Sequence, residues 1–431
     1  MTSKYLIRGA AVLTMGAKTP NFAVADVLVD GARIGEVGPG VRARDAEIID
    51  GTDTIVMPGF VDTHRHAWKS LLRNVGVSTG GADIVASESF SDHLTPEDCY
   101  AATLAGLLGA VEGGTTTVVD WFDLGGGPEH LQAALEAHSD AGLRTVFACG
   151  MGPGSSEPLV TTLGLSAPTD RTTLAFAAPD LSPSTGDQWA AARRAGLRIH
   201  VHAGTDAGDA GTVSALARAG LLGPDVTLVH GTTLDDQDLD AIAASGTCVA
   251  VAPSVEMSAG IGSPPMQRLI DREIRPGLAV DDERLAPGDM FAQMRSVISM
   301  QHARYFDLKL AGKAGLPNLL NTRETIRYAT VDGARVAGLA HRVGTIEPGK
   351  AADVILLRTD RPNIWPINDP IGAVVWGMDT SNVSWVFVAG RPLMQDGVLA
   401  ADTGRARELA TAALHRVGSA SGLLAPLGGT R

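Results

Sequence analysis

The sequence predicts an α/β fold, a (β/α)8 TIM barrel carrying a small β-sandwich built from both termini. Three observations lead there. Through the middle of the chain, short apolar runs rich in β-branched residues alternate with Ala- and Leu-rich stretches, the pattern of repeated βα units. Both ends instead show short strand-like runs broken by Gly-containing turns. Histidines and carboxylates recur where successive strand-like runs end, which in a barrel of this kind is one face. The chain has 431 residues, 45% hydrophobic and 19% charged. That suffices for a barrel of roughly 250 residues plus one smaller unit.

Residues 4–57 read as strands at Tyr5–Ile7, Ala11–Thr14, Asp26–Val29 and Arg33–Val37, with turns at Asp30-Gly31 and Pro39-Gly40. The first barrel strand is Met57-Pro58-Gly59-Phe60-Val61-Asp62-Thr63-His64-Arg65-His66. Residues 70–94, rich in Gly and Ser, form a long connection and a candidate lid. Thr95-Pro96-Glu97-Asp98 supplies an N-cap with Pro at the first helical position. Seven further strands follow in TTTVVDWF, RTVFACG, TLAFAAP, RIHVHAG, VTLVHGT, TCVAVAP and PGLAVDD. AATLAGLLGAVEG, LQAALEAHSDAG, DQWAAARRAG and LDDQDLDAIAASG are the helical stretches among them. After Gly344 the β texture returns in ADVILLR and VSWVFVAGRPL. The expected units are therefore a composite sandwich of 1–57 with 345–431 and a barrel of 58–344.

The formal charge of −13 argues against nucleic acid or an anionic membrane as partner, since both reward clustered Lys and Arg. A small-molecule substrate is the expectation. Cys99, Cys149 and Cys248 are odd in number and far apart, without metal-type spacing, so a reducing compartment is expected. The opening MTSKYLIRGAAVLTMG has only a short apolar run and no cleavage region, which favours a cytoplasmic location.

Strand alternation puts His64 and His66 on one face and Arg65 on the other. Two such imidazoles can share one ion, and zinc or ferrous iron suits neutral histidine nitrogens. At the other strand ends stand His202 (fifth), His230 (sixth) and Asp281 (eighth), with Asp120 and Glu256 near the second and seventh. His200 shares the face of His202 but lies deeper and reads as structural. His93, His130, His138, His302 and His341 fall in loops or helices and receive no role.

Several ordered motifs carry a family resemblance. They are Met57 to His66, Gly114-Thr-Thr-Thr-Val118, Val201-His202-Ala203, Leu228-Val-His230-Gly231, Pro276 to Asp281, Asp289 to Arg295 and Val343 to Val354. On these residues the chain resembles the amidohydrolase superfamily, in its cytosine-deaminase and triazine-hydrolase-like (chlorohydrolase) branch. The resemblance implies that His64, His66, His202 and Asp281 hold one divalent metal, zinc or iron, while His230 hydrogen-bonds the attacking water or the substrate. A metal ion can lower the pKa of bound water from 15.7 to about 7. Asp281 is then placed to take the released proton. Two-metal relatives use a carboxylated lysine on the fourth strand, and here no lysine lies between Lys69 and Lys309. One metal per chain is expected. The resemblance also implies a homodimer or larger assembly.

Two positions depart from the family pattern. The usual Glu three residues after the fifth-strand histidine is Thr205, and the frequent histidine three residues after His230 is Thr233. A hydroxyl cannot replace a carboxylate as general acid or base at neutral pH. Adjacent Asp206 is offset by one residue. Glu256 is therefore a candidate proton donor or substrate ligand, and Trp68, Trp121 and Phe122 are candidates for stacking on a flat ring. The leading expectation is hydrolysis of a C–N bond, or displacement of another leaving group, on an N-heterocycle. The alternatives are a metal-dependent lyase or isomerase, and a non-catalytic scaffold. Specificity is expected from residues 70–94 and 255–275.

Overall fold

The computed structural model describes residues 4–75, 90–124, 126–150, 158, 169–182 and 185–421. The N-terminal part gives β1 (Lys4–Val12), β2 (Phe22–Asp30), β3 (Arg33–Gly38), β4 (Glu47–Asp50) and β5 (Thr54–Pro58). Eight strands follow as β6 (Phe60–Arg65), β7 (Thr115–Phe122), β8 (Arg144–Cys149), β9 (Thr172–Ala178), β10 (Arg198–Ala203), β11 (Val226–His230), β12 (Cys248–Val251) and β13 (Gly277–Leu278). The C-terminal part adds β14 (Val354–Arg358), β15 (Val383–Val388), β16 (Arg391–Gln395) and β17 (Val398–Leu399). All eight expected barrel strands are present.

β6 to β13 form one parallel sheet in sequence order. Helices connect them, among them Pro96–Glu112, whose N-terminus carries the expected cap. Thr95 and Asp98 satisfy each other's backbone N–H groups at 3.0 and 3.2 Å, and Pro96 opens the helix. The sheet closes between β6 and the residues after β13. Asp281 N donates to His64 O at 2.9 Å and His66 N to Asp281 O at 3.1 Å. Thr63 Oγ1 donates to Leu278 O, and Val280 N to Asp62 Oδ1. Eighth-strand pairing is thus concentrated at its C-terminal end, where the site lies.

The remaining strands form a second sheet, ordered β17-β16-β15-β14-β5-β1-β2-β3 with β4 on β1. Antiparallel pairing of β14 with β5, from Val354↔Pro58 to Arg358↔Thr54, joins the two ends of the chain. Val27 and Val29 share one core with Val354, Leu356 and Phe387, so the sheet doubles over on itself. One expectation is corrected here. Tyr5–Ile7 and Ala11–Thr14 are not two strands but the single β1, because Gly9 adopts φ +75° and bends the strand without ending it. The C-terminal region, expected to be β-rich, also holds a helix that the sequence reading did not name. Thr403–Ser421 is a helix, and its Ala413 and Val417 pack with Ala101, Ala102 and Leu135 of the barrel helices.

Sheet and barrel meet at Gly59, where an added Cβ would stand 2.1 Å from Thr116 Cγ2. A buried ion pair also links them. Arg144, at the start of β8, binds Asp353 through Nε at 2.7 Å and Nη2 at 3.0 Å, and Asp353 Oδ1 also accepts from Ala389 N at 2.7 Å. The 76–89 part of the lid expected at residues 70–94 lies outside the described residues.

Candidate metal centre

Histidine side chains from two strands converge on one point. His64 Nε2 lies 3.3 Å from His66 Nε2 and 3.2 Å from His202 Nε2. Asp281 Oδ1 stands 3.5 Å from His64 Nε2 and 3.4 Å from His66 Nε2. Ligands at the Zn–N distance of 2.0–2.1 Å in tetrahedral array are about 3.3 Å apart, the tetrahedron's edge being about 1.6 times its centre-to-corner length. The four separations quoted are those of groups that can share one ion, and three imidazole nitrogens within 4.8 Å of one another are an arrangement that a cation resolves. Among the described residues these three histidines are the one group of this kind.

Electrostatics keep the donors in ligating form. Burial lowers the His64 pKa to about 4 and holds that of His202 well below its ordinary value. Burial opposes ionisation of Asp281, but His64, His230 and His66 together keep its pKa below the usual carboxylate range. His230 behaves differently. Burial lowers its pKa, but the bond to Glu256 and the charge of Asp281 outweigh this and raise it.

Two site residues hold left-handed backbones, His230 at φ 79° and Asp281 at φ 66°. Such conformations cost about 1–3 kcal/mol each for a non-glycine residue and persist where surrounding bonds dictate them. At Asp281 both backbone groups are paired with β6. After His230, Gly231 takes φ 82° and its N–H binds Ala203 O at 2.7 Å, which turns the strand end back over β10.

His230 stands between two carboxylates. Its Nε2 is 3.7 Å from Asp281 Oδ2, and its Nδ1 is 3.2 Å from Glu256 Oε1. Glu256 is fully buried on the short helix Pro253–Ser258, and the same oxygen accepts from Ala252 N at 2.8 Å. Glu256, read from sequence as a proton donor or substrate ligand, lies on the opposite side of His230 from Asp281. Trp121 is where a wall is needed, its ring 4.3 Å from that of His202 and 5.6 Å from that of His64.

Trp68 is the other tryptophan read from sequence as a candidate for stacking. It is buried with Leu71, Phe90 and Phe122, and its Nε1 donates to Asp123 Oδ1 at 2.6 Å. Thr205 follows Gly204, half-buried, its N–H bound to Asp209 Oδ2 at 2.9 Å. Asp206 caps the turn Ala207–Asp209 and does not replace the missing Glu. Asp120 braces the site from below, accepting from Ala67 N at 2.8 Å and pairing with His138 Nε2 at 2.7 Å. His138, given no role from sequence, thus supports the turn that follows His66. His200 is buried at the depth expected of a structural residue.

Sequence reasoning missed Asp123, whose Oδ2 lies 3.0 Å from His66 Nδ1 and 2.9 Å from Lys69 Nζ. Burial raises its pKa, and the charges of His66 and Lys69 more than offset this. Its position one residue beyond the run TTTVVDWF was the available signal.

Comparison with known proteins gives the relatives of this chain. The chain is 28% identical over 429 residues to a 5'-deoxyadenosine deaminase of Methanothermobacter thermautotrophicus, covering 91% of this chain and 94% of that one. It is 29% identical over 419 residues to a 5-methylthioadenosine/S-adenosylhomocysteine deaminase of Pelotomaculum thermopropionicum, covering 90% and 93%. Among solved structures, an atrazine chlorohydrolase of Arthrobacter aurescens complexed with zinc shares the fold at a TM-score of 0.82 and 23% identity, covering 95% of this chain and 100% of that one. The model of the amidohydrolase family matches residues 55–393, a span that includes His64, His66, His202, His230 and Asp281. The chain belongs to the amidohydrolase family.

Proposed function

We propose that the protein is a mononuclear metal-dependent hydrolase that cleaves an exocyclic C–N bond on an N-heterocycle of the purine-nucleoside kind. The observation that carries this is the convergence of His66, His202 and Asp281 on His64 Nε2, each within 3.5 Å of it, beside His230. The relatives, named as deaminases of adenine nucleosides, supply the substrate class. Zinc is the expected ion and iron the alternative. When bound, such an ion makes water nucleophilic near neutral pH.

The chain's own residues do the rest. Asp281 Oδ2, on the side facing His230, takes the proton that water loses. His230, carrying hydrogens on both ring nitrogens with Nδ1–H held by Glu256, would donate from Nε2 to the ring nitrogen that takes the electron pair of the attacked C=N bond. In the absence of a carboxylate at Thr205, the Glu256–His230 pair supplies the proton for the ring nitrogen, the proton held by Asp281 passes to the leaving nitrogen, and the hydroxyl proton of the adduct returns to His230 as ammonia departs. Trp121 bounds the site and excludes water from one side. Residues 58–344 form the catalytic unit, and the enzyme is a cytoplasmic homo-oligomer. No helix among the described residues is long and apolar enough to cross a membrane.

The test is metal content by plasma mass spectrometry on protein purified without added metal, with His66→Ala alongside, then ammonia release from 5'-deoxyadenosine in ¹⁸O-labelled water. About one ion per chain, lost in the variant, together with label in the product, supports the proposal. Metal-loaded protein that releases no ammonia from 5'-deoxyadenosine overturns the deaminase reading. No metal after reconstitution overturns the metal centre as well.

A further inference from the structure

Asp123 stands just past the end of β7, and its carboxylate is held on three sides. Oδ1 accepts from Trp68 Nε1 at 2.6 Å. Oδ2 lies 2.9 Å from Lys69 Nζ and 3.0 Å from His66 Nδ1. Trp68 is packed among Leu71, Leu72 and Phe90, so its N–H is a fixed donor. The Lys69 side chain is only 13% exposed. The other nitrogen of His66 faces His64 and Asp281.

We propose that Asp123 is a positioning residue for the metal, acting through His66. A histidine that ligates through Nε2 carries its hydrogen on Nδ1, the nitrogen that faces Asp123. A carboxylate there fixes the tautomer and ring orientation and raises the basicity of the ligating nitrogen. Lys69 on the same oxygen keeps the carboxylate directed at the ring's back edge. Neither Nδ1 has a partner of full hydrogen-bond geometry among the described residues, but only that of His66 has a carboxylate at ion-pair distance, Asp123 Oδ2 at 3.0 Å. The two ligands of the first strand are therefore unequal, and His66 is the one braced from outside. This inference rests on the metal-centre reading above.

The experiment measures zinc affinity of the full chain by competition with a chromogenic chelator, for the parent, Asp123→Asn and Trp68→Phe. Loss of an outer-shell partner of this type costs about 10–100-fold in metal affinity. Asp123→Asn is expected to bind zinc within that range of weakening. Trp68→Phe, which keeps the ring and removes only the donor, is expected to lose several-fold in the same direction. Visible spectra of the cobalt-loaded proteins are expected to shift with Asp123→Asn, a signature that general destabilisation does not produce. Zinc affinity of Asp123→Asn within twofold of the parent overturns the proposal. Should that variant fail to fold, an unchanged affinity in Trp68→Phe overturns it. A parent that binds no zinc refutes the metal centre itself, whereas one ion per chain with unaffected variants refutes only the role of Asp123.

Discussion

Replacing Arg144 by Met is expected to destabilise the protein by about 3–5 kcal/mol, the usual cost of removing one partner from a buried ion pair. Both side chains are almost fully buried, and the guanidinium makes two hydrogen bonds to Asp353. Met fills most of the volume but leaves the Asp353 carboxylate with the Ala389 N–H as its remaining bond. An unfolding entropy of about 2.1 cal/mol/K per residue gives roughly 0.9 kcal/mol/K for 431 residues. The melting temperature should therefore fall by about 3–5 °C in differential scanning calorimetry. Asp353→Asn keeps an acceptor for Ala389 and removes the charge. Combined with Arg144→Met, it is expected to restore at least half of the loss, since no unpaired ion then remains buried. A single variant that melts within 1 °C of the parent, or a double variant showing the plain sum of two losses, would refute the reasoning.

Three further outcomes are expected. Glu256→Gln preserves the acceptor for His230 but not the charge, and should lower kcat at least about tenfold with little change in KM, as for other acid/base groups; equal turnover in steady-state assays removes Glu256 from the mechanism. Burial raises the pKa of Asp332 against the opposing charges of Arg327, Arg335 and Arg275. The folded state then binds its proton more tightly than the unfolded state, so ionisation costs stability as pH rises from about 4 through the raised value. Asp332→Asn should accordingly melt near the parent at pH 4 and above it at pH 8, and a constant difference across that range counts against the assignment. Stripping the metal with a chelator should lower the melting temperature reversibly, because an ion present at 1,000 times its Kd stabilises by about 4 kcal/mol; an unchanged thermogram argues against a folded-state site.

Most of the barrel was legible because each strand writes its own signature. β7, β10 and β11 are short β-branched runs, and the last two end in the histidines that meet at the centre. That His64, His66, His202 and Asp281 come together was readable for the same reason, since strand ends in a parallel barrel share one face. What escaped depends on contacts that local pattern does not encode. Trp68 and Asp123 are 55 residues apart, and nothing in either segment marks the other as its partner. Glu256 was noticed as a carboxylate, but its direction follows from the helix Pro253–Ser258, which is too short to show periodicity. The helix Thr403–Ser421 lay beyond a run of strands whose texture suggested more of the same.

The closure of the barrel beside Asp281 has a consequence for how the chain folds. Thr63 and Leu278 meet there across 215 residues, among the most entropically expensive contacts in the barrel. The ligands His64 and His66 stand on one side of that seam and Asp281 on the other. An ion bound by all three is a cross-link between the first and last staves, made reversible by its own dissociation. Catalytic cofactor and barrel hoop are then the same atom, and a cell short of metal has to keep an unhooped barrel folded as well as an enzyme idle.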